Sequence, residues 1–327
     1  MSTCTVRIGL LTVLGVYGAA GYAAGAAEKS AGRPREPAAG SLEEPAERRR
    51  LPSLLSGATP EERTRLAEER KRISAAAAAA GTDPTAIIGY YQLSYGHNAF
   101  TNGLRTDSAT AVVRLPLTPN WLFQVTLPYV WADLNRPSGG FTLNGTSDLV
   151  LRTGGRLYAS ENVALFAGID ASFPAASERQ LGTGKYTLGP AVALAAPLPR
   201  LQSLSILLLE DFNAIGGDPS RTDIHFLQVQ SVVNTFWSEH WWTLLTGTWD
   251  TDWNNRRKPT LNLLGQIGYR FDNHWNVFVG AGGGVVGKDT FLGMDWNVQA
   301  GVRWVFGTPL IPETFFGGPR GPSGGTR

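Results

Sequence analysis

MDWNVQAGVRWVF, residues 294–306, decides the fold. Met294, Trp296, Val298, Ala300, Val302, Trp304 and Phe306 share one parity. Asp295, Asn297, Gln299, Gly301 and Arg303 share the other, where Val305 is the apolar exception. A period of two means a strand with one greasy and one polar face. The run is long for a globular strand and suits one that crosses a membrane at a tilt. Upstream, Leu261, Leu263, Gly265, Ile267, Tyr269 and Phe271 alternate with Asn262, Gln266 and Arg270. Trp121, Phe123, Val125, Leu127, Tyr129 and Trp131 alternate with Gln124 and Thr126. Residues 147–157 carry Asp148, Arg152 and Arg156 on their polar face.

Turn signals of two kinds separate these runs. Short ones are Thr118-Pro119-Asn120, Ser160-Glu161-Asn162, Pro197-Leu198-Pro199-Arg200, Ser238-Glu239-His240 and Asp272-Asn273-His274. Longer polar ones lie at 96–107, 133–145, 174–185, 214–221, 254–258 and 287–291. Long and short alternate, which predicts twelve strands, six long loops and five short turns. An even strand count with short turns at one end and long loops at the other is the pattern of an outer-membrane barrel, short turns facing the periplasm. The expected fold is therefore all-β: a 12-stranded antiparallel transmembrane β-barrel over 86–306, behind a disordered or helical periplasmic segment.

The aromatic residues fall where such a barrel puts them. Trp121, Trp241 and Trp275 follow short turns, and Tyr269, Phe271, Trp304 and Phe306 sit near the same end. Tyr129, Trp131, Trp249 and Trp253 lie near the long loops. Trp121 to Tyr129 spans about 26 Å at ~3.3 Å per residue. Tilted by about 40°, that is roughly 20 Å of height, close to the apolar band of these barrels.

Composition narrows the function classes. The 327 residues include 29 basic and 27 acidic side chains, a net charge of +2, which is no basis for bulk nucleic-acid binding. Charged residues are only 17 %, against about 25 % in an average soluble domain. The single cysteine, Cys4, excludes an internal disulfide framework and a cysteine metal cluster.

The N-terminus reads as an address. Arg7 supplies a positive start, Ile8 to Ala20 is apolar, and Ala24-Gly25-Ala26 fits a cleavage site, so 1–26 is expected to be a cleaved signal peptide. Residues 27–85 are rich in charge, Ala, Pro and Glu, and are expected to form no core of their own. They contain one helix signal over 60–80: Thr59 as cap, Pro60 first, Glu61 and Glu62 at the positive end, Gly81 as stop. A mobile periplasmic segment or a helix at the barrel mouth both fit, with a plain spacer favoured over a plug. Residues 307–327 form a Gly/Pro-rich tail.

LPLTPNWLFQVTLPYVWADLN at 115–135, GTSDLVLR at 145–152, FPAAS at 173–177 and LGTGKYTLGPAVAL at 181–194 give a family resemblance. The chain resembles the outer-membrane transporter family labelled after the MetA pathway of phenol degradation, over most of 86–306. That resemblance implies an outer-membrane channel or transporter and, by the family's label, small hydrophobic or aromatic solutes. It carries no functional residues. Phe306 is similar to the terminal aromatic that the barrel assembly machinery reads, although 21 residues follow it.

Alternation places Arg114, Gln124, Asp148, Arg152, Arg156, Asp170, Asp250, Asp252, Asn262, Gln266, Arg270, Asp295, Gln299 and Arg303 on the lumen face as candidate pore-lining residues. Such charges either line a wet path or pair across the lumen. Glu210 and Asp211 cannot both face inward without a bulge. No cofactor or metal is expected. Gly282 to Gly287 matches G-x-G-x-x-G but lacks a βαβ setting, Gly184-Lys185 fails the P-loop pattern, and the four histidines have no metal spacing. His97 has Ala99 where an outer-membrane phospholipase's His-x-Ser pair needs its nucleophile. The expected function is passive movement of a small-molecule solute through a barrel in outer-membrane lipid. A lipid-modifying enzyme and a structural or adhesion barrel are the alternatives.

Overall fold

A strand with one apolar and one polar face buries neither alone. Joined edge to edge and closed, such strands leave no free edge and turn every polar face inward. The structure, a computed structural model, describes residues 59–134, 140–254, 258–290 and 293–307. The expected signal peptide and most of the expected tail lie outside the described residues.

The strands are β1 (Gly89–Ala99), β2 (Leu104–Thr118), β3 (Trp121–Leu134), β4 (Phe141–Thr146), β5 (Leu149–Ala159), β6 (Ala164–Phe173) and β7 (Lys185–Leu198). They continue as β8 (Ser203–Gly217), β9 (His225–Phe236), β10 (Trp241–Asp252), β11 (Lys258–Arg270), β12 (Trp275–Val286) and β13 (Trp296–Phe306). Neighbours in sequence pair antiparallel, and β1 pairs with β13 from Gly89↔Phe306 to Ala99↔Trp296, which closes the sheet. β4 and β5 are two halves of one wall strand. β3 pairs with β5 through Trp121–Thr126 and with β4 through Tyr129–Leu134. The result is a closed 12-stranded antiparallel barrel.

Apolar side chains cover the outside: Leu93, Leu127, Leu245, Ile267 and Val279 all point away from the lumen. Trp121, Trp241 and Trp275 are outward at the short-turn end, and Tyr129, Trp131 and Trp249 are outward toward the long loops. Among the described residues no helix is long and apolar enough to cross a membrane.

Two expected loops are shorter than their polarity suggested. Residues 96–99 and 104–107 extend β1 and β2, because their polar groups satisfy one another across the pair: Asn98 Nδ2 donates to Thr106 Oγ1 at 3.2 Å, and His97 Nδ1 meets Asp107 Oδ1 at 2.8 Å. Likewise 141–145, expected as loop, belong to β4, which continues the wall to Thr146.

The helix α1 (Pro60–Ala80) precedes the barrel. Thr59 accepts from the Glu62 amide, and Gly81 ends the helix with φ +67, a left-handed conformation that glycine adopts without strain. Ile73, Ala77 and Ala80, spaced along one face, are buried. They pack on the inward residues Leu204, Ile206, Phe236, Trp242, Leu244 and Phe278. The C-terminal half of the helix therefore lies inside the barrel at its short-turn end. Small alanines let the helix backbone approach the wall closely in a narrow interior.

Candidate functional site

The lumen is filled in three layers. At the short-turn end the last turn of α1 is bonded to the wall. An α-helix leaves its final carbonyls without helical partners. Here Ala78 O accepts from Gly81 N at 2.8 Å and Ala77 O from Thr82 N at 3.0 Å. Ala79 O accepts from Asn276 Nδ2 at 3.3 Å, and Ala80 O from Arg303 Nη1 at 2.6 Å. Two helix carbonyls thus depend on barrel side chains, and the Arg303 charge faces the negative end of the helix dipole. The chain then crosses toward β1. Thr82 Oγ1 accepts from Asn234 Nδ2, and Pro84 O accepts from Arg114 Nη2 at 3.0 Å. Asp83 Oδ1 accepts from Thr85 N at 2.8 Å and Thr85 Oγ1 at 2.7 Å. Burial pushes the Asp83 carboxyl above its ordinary range, opposed by the Thr85 hydrogen bonds and the Arg114 charge.

The middle layer is a cavity of about 190 Å³. Arg114, Gln124, Arg152, Asp170, Gln266 and Arg303 line it, six residues brought together from six strands and from both ends of the barrel sequence. Arg152 is held by two acids: its Nε donates to Asp170 Oδ1 at 2.6 Å, and its Nη2 donates to Asp170 Oδ2 at 2.7 Å and to Glu210 Oε1. Breaking such a buried group by removing one member leaves an uncompensated charge, which costs far more than the intact set contributes.

At the long-loop end three loops fold inward. Phe100, Leu181 and Met294 meet Leu104, Val130, Ala132 and Leu134 in an apolar cluster, and Leu181 is 0 % exposed. Glycines on β12 make the space. A Cβ on Gly284 would stand 2.2 Å from Met294 O, so no side chain fits beside the returning loop. The 174–184 segment is tied to its neighbour by Arg179–Asp218 at 3.2 Å, and Lys185 at the start of β7 meets Asp223 at 2.7 Å.

α1 thus packs within the short-turn end of the lumen and the Leu181 cluster at the long-loop end, with a polar chamber between them. No family model matches the chain, and no curated protein matches it in sequence. Among solved structures, an outer membrane channel from Pseudomonas putida F1 is similar over 67 % of this chain and 95 % of its own, at 15 % identity and a TM-score of 0.52. The NanC porin is similar over 65 % of this chain and 98 % of its own, at 10 % identity and a TM-score of 0.48. The chain has the fold of an outer-membrane β-barrel.

The other candidate residues occupy different places. Asp250 accepts from Gln228 Nε2 at 2.7 Å and Thr260 Oγ1 at 3.2 Å, buried in the wall. Asn262 and Gln299 are buried on the inward face, and Asp252 receives Asn254 N at 2.9 Å near the long-loop rim. Arg156 lies at the short-turn rim, 3.5 Å from Asn120 Oδ1, and Arg270 lies at the same rim beside Ala76 and Ala80 of α1. Asp148 sits at the break between β4 and β5. Its Oδ2 accepts from Thr183 N and Thr183 Oγ1 at 2.7 and 2.6 Å, which pins the 174–184 segment over the edge of β4. Asp295 precedes the first residue of β13, and its Oδ1 is 3.8 Å from Lys288 Nζ.

Sequence reasoning left Glu210 and Asp211 undecided and did not include Tyr90, Gln92 or Gln230. Alternation continues through the doubtful stretch: Glu210 points inward, while Asp211 lies 3.6 Å from His225 Nε2 at the rim. Gln92 and Tyr90 share the inward parity of β1, a signal present in GYYQLSYGHNA but unused.

Proposed function

We propose that the protein is an outer-membrane channel that passes small solutes down their gradient and rests in a closed state. The single observation that carries this reading is the charged chamber in the middle of the lumen, flanked by α1 on one side and by the Leu181 cluster on the other. A barrel serving only as an anchor has no need for a solvated, mixed-charge chamber, whereas a conducting path needs polar groups along its wall. In this reading the chain is exported by its signal peptide, is inserted by the barrel assembly machinery, and places the short turns and the N-terminal half of α1 on the periplasmic side. Outer-membrane lipid then covers the band of outward Leu, Ile, Val and Trp. The resemblance to the MetA-pathway family extends the reading to hydrophobic or aromatic solutes.

The test is single-channel recording in planar bilayers of the mature protein and of a form lacking 59–84. The mature protein is expected to open rarely, and the shortened form more often or with larger steps. Silence from both forms, with each barrel shown folded by its heat-dependent gel mobility, overturns the proposal.

A further inference from the structure

Arg114 has less to hold than its position requires. It is 3 % exposed. A guanidinium offers five N–H donors in a rigid fork. Arg114 Nη2 reaches Pro84 O and its guanidinium lies 5.6 Å from the Tyr90 ring centroid, but its Nε has no hydrogen-bond partner among the described residues. The acids nearby are otherwise engaged. Asp170 and Glu210 are bound to Arg152, and Asp83 turns to Thr85. Leaving a charged donor buried and unsatisfied costs more than a typical hydrogen bond contributes.

The chamber beside it has two characters. Tyr90 and Gln124 stand with Arg114 on the polar side, and Tyr90 OH donates to Gln124 Oε1 at 3.3 Å. Ile206, Leu208, Val232 and Phe278 form an apolar side, in which Ile206, Val232 and Phe278 also belong to the cluster that holds α1 and Phe278 lies 5.7 Å from the Arg303 guanidinium. Its 190 Å³ is the share of about six waters in the liquid. That admits a single small ring with its substituent.

We propose that this chamber binds a small organic monoanion, with its carboxylate on the Arg114 guanidinium and its hydrocarbon body against Ile206, Leu208 and Phe278. An arginine fork can meet a planar carboxylate with two parallel bonds once Nη2 gives up Pro84 O. Binding has a consequence for closure. Arg114 also holds Pro84 O, a neutral acceptor, and a carboxylate competes for the same donors with bonds about twice as strong. An arriving anion therefore loosens the segment that carries α1. The inference deepens the channel reading and rests on it for its biological meaning, yet its test needs no conduction.

The experiment is equilibrium dialysis of the full mature protein with benzoate as probe and benzyl alcohol as its uncharged competitor. Benzoate is expected to bind saturably at one site, and benzyl alcohol to compete poorly. Arg114→Gln is expected to weaken benzoate by about tenfold or more, with Arg114→Lys in between. Leu208→Trp, which fills the apolar side and leaves Arg114 in place, is expected to abolish binding. Unchanged benzoate binding by Arg114→Gln, equal competition by benzyl alcohol, or no saturable binding to folded protein overturns the proposal. Should Arg114→Gln fail to fold, Leu208→Trp decides: retained binding there overturns it equally. Benzoate binding without conductance would sink the channel and leave the site standing. Conductance without binding would do the reverse.

Discussion

Ile73→Ala tests whether α1 is held in the lumen by its own apolar face. Ile73 is 1 % exposed and packs in one cluster with the inward wall residues. Truncating a buried isoleucine to alanine costs about 2–5 kcal/mol, according to how far the site collapses. A helix docked in a rigid barrel collapses little. Alanine returns roughly 0.4 kcal/mol through its better helix propensity, and that gain belongs to the helix whether docked or not. The loss of docking is therefore about 2–5 kcal/mol, which multiplies the undocked population by about 30 to 4,000. The bond after Arg72 reports it, since trypsin cuts a helix only when it opens locally. Cleavage then follows the population of the open form when closing is faster than cutting. Exposed sites at Arg63 and Arg65 fray independently, so the fragment ending at Arg72 is the one to follow by mass. The expected result is at least about thirtyfold faster cleavage after Arg72, with the barrel's heat-dependent gel mobility unchanged. Rates within twofold of each other would refute the argument that Ile73 anchors the helix.

Three further outcomes follow from the same structure. Leu245→Arg, on the outward face of β10 and 58 % exposed there, should destabilise the folded barrel in lipid vesicles by about 2–4 kcal/mol in urea titration, and no change would argue against a lipid-covered wall. Arg152→Met strands Asp170 and Glu210 together in the lumen and should cost about 3–5 kcal/mol in the same titration, whereas stability equal to the parent would show that the three charges are not dry. Asp83 has its carboxyl raised by burial, so its docked state prefers the neutral form. Docking should be strongest below the ordinary carboxylate range and weaken as pH rises through the raised value. Cleavage after Arg72, corrected for trypsin's own pH profile, should accelerate toward neutral pH in the parent and lose that trend in Asp83→Asn. An identical profile in both would remove Asp83 from the account.

The wall of this protein was legible in its residues. A period of two repeated between alternating short and long turns determines strands, their number and which face is polar, because each rule is local: side chains on a pleated strand alternate whatever lies beyond it. MDWNVQAGVRWVF needs no partner to show that Arg303 and Trp304 point opposite ways. The cap and stop of α1 are local in the same sense, resting on Thr59, Pro60 and Gly81. What fills the lumen is a matter of distance through space. No spacing in the chain says that Arg303 meets Ala80 O, that Asn276 meets Ala79 O, or that Asp148 accepts from Thr183 N. Charge density argued for a solvated segment over 27–85, and α1 is indeed charged along its exposed half. Its last two turns hold only alanines and Ile73 on the buried face, and a wall of Ile206, Trp242 and Phe278 is what gives so thin an apolar stripe something to bury against. Only closure of the barrel brings those three strands around the helix, and with them one arginine, Arg114, into a chamber where its donors outnumber the acceptors offered to it.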